Sequence, residues 1–333
     1  MKKKPTKQRE ELRVDAELLR QADEQMRRRR TGDAPAEHAP DEFNPTFAGS
    51  RHERAWILGA LGPFYQQQLI GDVVRSIKGG KEASVYLCTP AGALAQICDD
   101  DYVAAKVYRP REFRNLSNDA LYRAGREVYD GSGKAVRDSR RARALAKKTR
   151  YGKNLSITSW IRFEYETLRT LHTAGADIPR PYAQQGNAIL MQYVGDGQGA
   201  APALQRVRLE QAEAEPLFQR IMHNVGLMLA HDRVHGDLSA YNILYWHGEA
   251  CLIDFPQAVD TQTNDAALDL LIRDVERICQ YFARYGIQVD PNALAVDLWV
   301  HHQFPVAENP PPPSEQIPRQ AAGLVMETIT HNG

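Results

Sequence analysis

The residues best suited to chemistry lie between positions 235 and 254. Residues 235–242 read H-G-D-L-S-A-Y-N, and residues 252–254 read L-I-D. A carboxylate such as that of Asp237 can orient or deprotonate an attacking hydroxyl. Asn242 and Asp254 carry the hard oxygen donors that Mg²⁺ prefers. At these intervals the three residues predict transfer of a phosphoryl group to a hydroxyl, with the metal held on the phosphates.

A turn-rich hairpin in which Asp237 only caps a loop would contain similar residue types. The spacing argues against that alternative, because H-x-D, four residues and then N, with a second Asp on the next strand, is the spacing of protein-kinase catalytic and metal loops. A predicted hairpin of 243–245 against 251–253 would return Asp254 to the mouth of the loop. We therefore predict Asp237 and Asp254 as catalytic residues, and Asn242 and Asp254 as metal ligands.

A lysine in the first half of the chain is the second candidate. Residues 103–108, V-A-A-K-V-Y, predict a strand. Strand alternation puts Ala104 and Lys106 on one face and the three valine and alanine neighbours on the other. The small Ala104 leaves room for a flat base, while Lys106 could reach the phosphates of a nucleotide. A lone strand lysine is more often a solvated edge residue, so this interpretation needs a partner for Lys106.

Two glutamates on a helix predicted at 160–172 compete for that role. Glu164 shares an apolar stripe with Leu168 and Leu171, whereas Glu166 points elsewhere on the helix. Glu164 is therefore the predicted partner of Lys106.

A glycine-containing turn precedes Lys106. Residues 78–86 read K-G-G-K-E-A-S-V-Y, which is neither G-x-G-x-x-G nor a Walker A sequence. A plain hairpin turn would look much the same. The turn is a candidate phosphate cradle because of its position ahead of the lysine strand.

The elements that must position these residues are strands first and helices second. Such segregation predicts an α+β fold with two lobes, a small β-rich N-lobe and a helical C-lobe. The predicted strands are 73–77, 84–88, 103–108 and 188–194, and the predicted helices are one or two over 56–69, one over 160–172, one opened by Pro216 and one over 265–284.

Composition limits the class of protein. The 333 residues are 43% hydrophobic and carry zero formal net charge, so nothing in the overall charge favours nucleic acid or membranes. The four cysteines show no metal-ligand spacing, which predicts unpaired thiols in a reducing compartment. No apolar run is long enough for a membrane helix, and the charged N-terminus is unlike a secretory signal. We expect a cytoplasmic protein with no membrane partner.

The domain boundaries follow from composition. Residues 1–50 are predicted to be a disordered charged N-terminal tail. Residues 51–290 are predicted to be one domain, with the N-lobe at about 51–194 and the C-lobe at about 195–290. Residues 291–333 are predicted to be a C-terminal extension with a Pro-rich linker.

Three motifs together resemble the RIO family of atypical serine/threonine protein kinases. Residues 80–86, G-K-E-A-S-V-Y, are similar to that family's phosphate loop, and residues 235–242 and 253–257 are similar to its catalytic and metal loops. Trp160 followed by Glu164 is similar to its αC helix. The motifs are mixed between the two main subfamilies, and we identify the chain as a bacterial-type member. The resemblance covers about residues 51–290.

The resemblance implies a RIO-type fold without a platform for a peptide substrate. It also implies ATP and Mg²⁺ as cofactors, serine/threonine kinase activity with autophosphorylation, and ATPase activity through an aspartyl-phosphate on Asp254. Asp237 would accept the proton, and Lys106 would bind phosphate. Ser84 of the phosphate loop and the hinge residues Gln192 and Val194 would contact the nucleotide.

Two other functions stay open. Gly236 stands where other protein kinases have arginine, and no A-P-E motif follows Asp254. Small-molecule kinases of the aminoglycoside and choline kinase type share the H-G-D-x-x-x-x-N loop, so that class is one alternative. A nucleotide-gated ribonucleoprotein assembly module, in which ATP is bound but not used for transfer, is the other.

A basic segment separates Lys106 from Glu164. Residues 134–153 contain nine Lys or Arg residues and one acidic residue, Asp138. A concentrated basic patch on an otherwise acidic body is a reasonable contact for RNA or a ribonucleoprotein, although a solvated loop without a partner would have the same composition. By resemblance this is the loop in which family members autophosphorylate, and its hydroxyls are Ser132, Ser139, Thr149 and Ser156.

Overall fold

The computed structural model describes residues 43–80, 82–98, 100–109 and 150–303. These residues divide into two compact units. The strand-rich unit contains the described residues up to 109 together with 182–193, and the helical unit contains 150–181 and 194–303. The predicted α+β class, with strands and helices segregated along the chain, is confirmed.

The strand-rich unit is built around one five-stranded sheet with strand order β1-β2-β3-β5-β4. The pairs β1–β2, β2–β3 and β3–β5 are antiparallel. Its elements are α1 (Arg51–Gln66), β1 (Ile70–Gly79), β2 (Ala83–Pro90), α2 (Gly92–Ile97), β3 (Val103–Tyr108), β4 (Pro181–Gln185) and β5 (Ala188–Gln192). Four of these strands were predicted from the sequence. The predictions at 73–77, 84–88 and 103–108 lie within β1, β2 and β3, and the prediction at 188–194 extends two residues beyond the end of β5.

The two faces of this sheet bury different side chains. One face packs its apolar residues against α1, in a cluster that includes Val103, Ala105, Val107 and, from the helix, Ile57, Leu61 and Phe64. The other face carries a smaller cluster around Leu87, Ala104 and Tyr193. The alternation predicted for residues 103–108 is therefore confirmed.

Residues 43–50 pack against the strand-rich unit, although the sequence predicted a tail up to residue 50. Phe43 stacks on Tyr65 with ring centroids 4.7 Å apart. Phe47 packs near Tyr86, and its amide N–H donates to the carbonyl of Val73 at 2.8 Å. The two phenylalanines supply enough apolar area to hold this short segment. The rest of the predicted tail, residues 1–42, lies outside the described residues.

The helical unit contains four α-helices, two single-turn 3-10 helices and two short antiparallel ladders within its described residues. The α-helices and strands are α3 (Arg150–Thr173), α4 (Gln211–Ala230), β6 (Arg233–Val234), β7 (Ile243–Trp246), β8 (Glu249–Leu252), β9 (Val259–Asp260), α5 (Ala267–Phe282) and α6 (Pro291–Gln303). Strand β6 pairs with β9, and β7 pairs with β8. The hairpin predicted for 243–245 against 251–253 corresponds to β7 and β8.

The start of α4 differs from its prediction. Pro216 does not open the helix but lies inside it. The helix begins at Gln211 because Glu210 and Glu213 form a reciprocal capping box that satisfies the first backbone N–H groups. Pro216 then leaves one helical hydrogen bond unmade within the first two turns. The E-x-x-E pattern was the signal for the earlier start.

The unit boundaries also differ from the predicted lobes. Helix α6 contains the buried Leu294 and Ala295 and contacts α4 and α5, so the helical unit extends to Gln303 instead of ending at residue 290. Helix α3, predicted within the N-lobe, groups with the helical unit. The indole of Trp160 donates a hydrogen bond to the Pro256 carbonyl, which accounts in part for that grouping.

The four cysteines are all free thiols, as predicted, and Cys88 and Cys279 are buried. Burial raises the pKa of the Cys251 thiol to about 12 and that of Cys279 to about 11. None of the helices in the described part of the chain combines the length and apolarity needed to cross a bilayer.

Candidate active site

The loop with the predicted catalytic residues connects β6 to β7 in the helical unit. A hydrogen bond within the loop holds its last turn: the backbone N–H of Asn242 donates to the Ser239 carbonyl at 2.8 Å. The Ile253 amide donates to the Asn242 carbonyl at 2.9 Å. Ile253 is thus hydrogen-bonded to the last residue of the catalytic loop, and Asp254 comes next in the chain. This agrees with the predicted hairpin, which returns Asp254 to the loop.

His235 joins the same two segments through its side chain. The ring is 1% exposed. The Asp237 amide N–H lies 3.3 Å from Nδ1, and Nε2 lies 3.1 Å from the Ile253 carbonyl oxygen. Nδ1 must therefore accept, and Nε2 must carry the proton that is donated to the Ile253 carbonyl, which is the neutral form of the ring. In this form the ring links the catalytic loop to the metal loop by two hydrogen bonds. The ring also packs on Phe255, with centroids 4.6 Å apart.

A buried carboxylate on α5 holds the backbone on both sides of Asp237. Asp274 is 2% exposed and accepts from the Gly236 amide at 2.7 Å and from the Leu238 amide at 3.0 Å. Arg273 donates to the Gly236 carbonyl. Gly236 has φ +78°, a left-handed conformation that suits glycine, and both of its backbone polar groups are used.

Burial raises the pKa of Asp274 to about 7. The nearby charge of Asp237 acts in the same direction, whereas Arg273 and the two backbone donors favour the ionised form and hold the pKa down. Asp274 is thus a carboxylate held in the protein interior by donors that also shape the loop.

Asp237 itself is partly exposed, and both of its carboxylate oxygens have partners. Oδ1 accepts from Arg277 Nη1 at 2.8 Å, and the Asp237 and Arg277 side chains are 39% and 38% exposed. Oδ2 lies 3.4 Å from Asn242 Nδ2, which also donates to the Asp237 carbonyl at 2.8 Å. The carboxylate is therefore oriented and still open to a substrate hydroxyl.

Asn242 and Asp254 fit a magnesium ion. Both side-chain hydrogen bonds of Asn242 use its amide nitrogen, so its amide oxygen is the ligand that the loop offers. Asp254 has φ +75°, a left-handed conformation that is strained for a non-glycine residue and is typical of functional positions. An amide oxygen and a carboxylate, completed by phosphate oxygens and water, form the kind of ligand set that Mg²⁺ takes with nucleotides.

Helix α3 places its two candidate glutamates differently. Glu164 is 1% exposed and lies on the buried stripe with Leu168 and Leu171. Glu166 is 46% exposed in its side chain and forms an ion pair with Arg169 at 3.3 Å. The choice of Glu164 for the buried stripe is confirmed. The pairing of Glu164 with Lys106 stays a prediction.

Lys106 lies on β3 in the strand-rich unit and is only 9% exposed. It shares a sheet face with Ala104, and Val85 of β2 pairs with it in register. Its ammonium lies 5.1 Å from the centre of the Tyr108 ring. A lysine buried next to a small residue on a sheet face is the arrangement predicted for a nucleotide phosphate contact, not that of a solvated edge lysine.

The structure does not place the Ser84 side chain on that face. Ser84 pairs in register with Val107, so its hydroxyl lies on the face that packs against α1. There it accepts a hydrogen bond from Arg109 at 2.8 Å. Strand alternation therefore puts the Ser84 side chain on the opposite face from Lys106. The contact of Ser84 with the nucleotide stays a prediction.

The two hinge residues lie at the end of β5 and just after it. Gln192 is the last residue of β5 and pairs with Val103. The Val194 carbonyl accepts from the backbone N–H of Ala201 at 2.9 Å, so the Val194 N–H is the backbone group that this residue would offer to adenine. Contacts of both residues with adenine stay predictions.

Part of the predicted site lies outside the described residues. This holds for Lys81 of the phosphate loop, for Ser132, and for residues 134–149 of the basic segment, which contain Ser139 and Thr149. Ser156 lies within α3, and nothing about its side chain is described.

Three functional residues escaped the sequence-based prediction: Asp274, Arg277 and the indole of Trp160 as a hydrogen-bond donor. For Asp274 a signal was present, because it interrupts the apolar stripe of α5 formed by Leu270, Leu271, Val275 and Ile278. A charged residue on a buried stripe needs a polar partner. For Arg277 no comparable signal exists in the sequence.

Comparison with known proteins places these features in a family. The RIO domain model matches residues 101–294, more than half of the chain. The RIO-type serine/threonine-protein kinase Rio1 of Thermoplasma acidophilum is 33% identical over 147 residues, which cover 44% of this chain and 76% of that protein. Rio1 of Haloferax volcanii is 30% identical over 224 residues, covering 66% of each chain.

The fold has a solved counterpart. The Rio2 kinase of Chaetomium thermophilum, solved as an ADP/Mg²⁺-phosphoaspartate complex, matches with a TM-score of 0.50 at 18% identity, over 83% of this chain and 72% of that one. At this identity the likeness concerns the fold, and it agrees with a kinase-like α+β architecture. Domain match, identity to the Rio1 kinases and fold together show that this chain belongs to the RIO family of atypical serine/threonine protein kinases.

Proposed function

We propose that the chain transfers the γ-phosphoryl group of ATP, bound with Mg²⁺, to a serine or threonine of another protein or of itself. The observation that carries this proposal is the oriented carboxylate of Asp237. It lies in a loop bonded through Asn242 and His235 to the segment that presents Asp254. A base and two metal ligands on one rigid loop pair are what phosphoryl transfer to a hydroxyl requires.

The site residues then have the following roles in transfer to serine or threonine. Asp237 accepts the hydroxyl proton as the new O–P bond forms. Asn242 and Asp254 bind Mg²⁺, which neutralises charge on the phosphates. Lys106, paired with Glu164, binds phosphate oxygens of ATP. The backbones of Ser84, Gln192 and Val194 contact the nucleotide; the Ser84 contact is proposed for its backbone alone.

The same site supports an ATPase cycle. In that cycle the Asp254 carboxylate attacks the γ-phosphorus, and the bond between that phosphorus and the ADP oxygen breaks. ADP leaves, and an acyl phosphate remains on Asp254. Water then hydrolyses the acyl phosphate to inorganic phosphate and restores the carboxylate. The strained backbone of Asp254 and the phosphoaspartate found in the Rio2 kinase of similar fold support this extension.

A small-molecule kinase is the second candidate. Only residues 255–266 separate Asp254 from α5, which leaves little chain for a platform that would bind an extended peptide. A screen of aminoglycosides and amino alcohols as acceptors, with labelled ATP, tests this candidate against protein acceptors.

Binding to RNA or a ribonucleoprotein is proposed for the basic segment alone. Nine basic residues against one acid in 134–153 support it. If the protein is a nucleotide-gated assembly module, it should bind ATP with negligible turnover, and its RNA affinity should fall steeply with salt.

The deciding experiment uses γ-labelled ATP with Mg²⁺ and the full chain. Label stable to acid and hydroxylamine marks a serine or threonine, label released by hydroxylamine marks an acyl phosphate, the species expected on Asp254, and label found only in free phosphate marks ATP hydrolysis. Asp237→Asn should lower transfer to serine or threonine by roughly 10²–10⁴-fold. Asp269→Asn makes the same chemical change at an exposed position on α5 and should leave transfer unchanged. Equal transfer by wild type and Asp237→Asn would refute the proposal.

A further inference from the structure

A concave apolar surface lies between α4 and α6 in the helical unit, and it encloses about 480 Å³. We call it the α4–α6 groove. Its largest apolar side chains are Phe218, Met222, Leu227, Val289, Leu294 and Leu298. Asp290 and Asp297 line it as well. All of its lining residues lie outside the catalytic loop, 235–242, and the metal loop, 253–257, so the groove is separate from the candidate active site.

Gly226 leaves the backbone of α4 bare where this helix borders the groove. Among the described residues, no atom beyond its own helix backbone and its chain neighbours lies within 4 Å of the position that a Cβ would take at Gly226. Glycine in a helix interior is destabilising relative to alanine. Packing within the described structure therefore does not explain this glycine, whereas a bare backbone allows another segment to approach α4 closely.

The apolar surface continues along α6 beyond the groove. Val296 and Val300 are each 46% exposed and are among the few large hydrophobic residues exposed in the described part of the chain. They share a side of α6 with Ala293, which lines the groove, because helical residues three, four and seven positions apart face the same way. An exposed apolar patch that borders a groove marks a binding surface for an apolar partner.

The sequence that follows α6 contains a segment of matching character. Residues 319–329 read R-Q-A-A-G-L-V-M-E-T-I. At 3.6 residues per turn, the apolar residues of this stretch fall on one side, and Gln320 and Glu327 fall on the other. The apolar side consists of Ala321, Ala322, Leu324, Val325, Met326 and Ile329. So short a helix is stable only when its apolar side packs against another surface.

The length of the chain suits binding to the groove of the same molecule. About 20 residues, 304–323, separate the end of α6 from Leu324, and a chain of that length has a typical end-to-end distance of about 25 Å. Asp297 and Asp290 lie about 9 and 20 Å back along the helix from Gln303, at 1.5 Å per residue. A tether whose length matches the span gives its segment an effective concentration of about 1 mM.

A segment of the same chain fits this groove better than a second copy does. Most homodimers are isologous, so the same patch of each copy would meet. Two concave surfaces leave a gap between them, whereas an amphipathic helix fills one. We propose that residues 319–329 bind as an amphipathic helix in the α4–α6 groove of their own chain. This inference concerns a binding site outside the active site and does not depend on the function proposed above.

The test measures hydrogen exchange by mass spectrometry in peptides that cover residues 319–329 of the full-length protein. Gly226→Met blocks the groove from its wall, and α4 should tolerate it because methionine is a better helix former and its Cβ has room. Leu324→Asp puts a charge on the apolar side of the segment. The matched controls are Gly59→Met, at an exposed glycine of α1 with equal space, and Gln320→Asp, on the polar side of the segment.

The wild type should exchange these amides about tenfold more slowly than Leu324→Asp, as expected for an effective concentration of about 1 mM and an intrinsic dissociation constant of about 0.1 mM. Gly226→Met should lose the same protection. Ala293→Asp, at an exposed position of the groove, is a second block that leaves the interior of α4 unchanged and should have the same effect. Both control variants should keep the protection, and tenfold dilution of the wild type should not alter it.

Three results would overturn the inference. Exchange of residues 319–329 that is as fast in the wild type as in Leu324→Asp would show that the segment does not bind. Protection that persists in Gly226→Met and Ala293→Asp would place the segment on another surface. Protection that falls on dilution would assign the groove to a segment of a second copy. Since none of these measurements involves phosphoryl transfer, their failure would leave the proposed function untouched.

Discussion

Replacing Asp274 by asparagine tests how the catalytic loop is held in place. The Asp274 carboxylate accepts from the amides of Gly236 at 2.7 Å and Leu238 at 3.0 Å, which flank Asp237. Asparagine has the same shape, but one of its two terminal atoms is an NH₂ donor. Facing a backbone N–H, that group cannot accept, so one of the two hydrogen bonds is lost and a buried N–H loses its partner.

The structure gives the size of the effect. A buried donor left without its partner costs about 1–3 kcal/mol of stability. The amide that loses its bond lies next to Asp237, so the catalytic carboxylate shifts with the loop. A misplacement of about 1 Å can lower turnover by roughly 10²-fold. We expect Asp274→Asn to reduce kcat by about 10- to 100-fold, with little change in the KM for ATP.

The pH dependence separates the lost charge from the lost hydrogen bond. Burial raises the pKa of Asp274 to about 7, against 3.8 in an unperturbed carboxyl. Between these values the folded protein binds more protons than the unfolded chain, so the stability contributed by this group is complete below pH 3.8 and is lost as the pH rises through about 7. On going from about pH 8.5 to about pH 5.5, the wild type should gain about 2 kcal/mol from this group.

Urea unfolding at these two pH values provides the assay. Asparagine does not titrate, so the stability difference between wild type and Asp274→Asn should be larger at the lower pH by about 2 kcal/mol. Asp269→Asn, on an exposed position of the same helix, is the control and should show no such dependence. If Asp274→Asn and Asp269→Asn change equally with pH, then Asp274 is not the buried titrating group.

Three further predictions concern packing and reactivity. Asn224→Ala should lower stability by about 2 kcal/mol in urea unfolding, because the Asp177 backbone N–H loses its acceptor and the Asp177 carboxylate loses a donor, each at 2.6 Å. Trp160→Phe removes the indole donor to the Pro256 carbonyl and should cost about 1 kcal/mol in the same assay. Of the four thiols, Cys98 alone should react with a disulfide reagent near neutral pH before the protein unfolds, since the other three have pKa values raised by burial.

Each of these has its own check. His223→Ala, at the exposed position next to Asn224 on α4, should leave stability nearly unchanged, and an equal loss in both variants would contradict the role of the buried amide. Stability of Trp160→Phe equal to that of the wild type would show that water replaces the lost donor. Rapid labelling of Cys88 or Cys279 in the folded protein would contradict their burial.

The local elements of the site were predictable because they depend on short-range patterns. Alternation alone placed Ala104 and Lys106 on one face of β3, and helical spacing alone placed Glu164 rather than Glu166 on the buried stripe of α3. The hairpin that returns Asp254 to the catalytic loop followed from two apolar runs around a turn. In each case the period of the backbone decides which side chains share a face.

The errors arose where capping or packing between distant segments decides the outcome. The sequence pattern predicts a helix start at Pro216, but the capping box at Glu210 sets the start earlier. The predicted domain end at residue 290 missed α6, which packs on α4 and α5 through long-range contacts. For Ser84 the motif alone did not show the orientation of the side chain, which its register opposite Val107 puts on the face away from Lys106.

The sequence by itself determined which residue types are present for this chemistry and in what order they occur: the carboxylates, the asparagine and the lysine that are predicted to accept a proton, bind magnesium and bind phosphate. Side-chain identity and spacing carry that information because reactive groups and backbone periods are local properties. Only the tertiary structure decided which side chains support them. Asp274 and Arg277 meet the catalytic loop from a helix about forty positions further along the chain. No local pattern specifies such a contact, because it forms only when separate elements pack together.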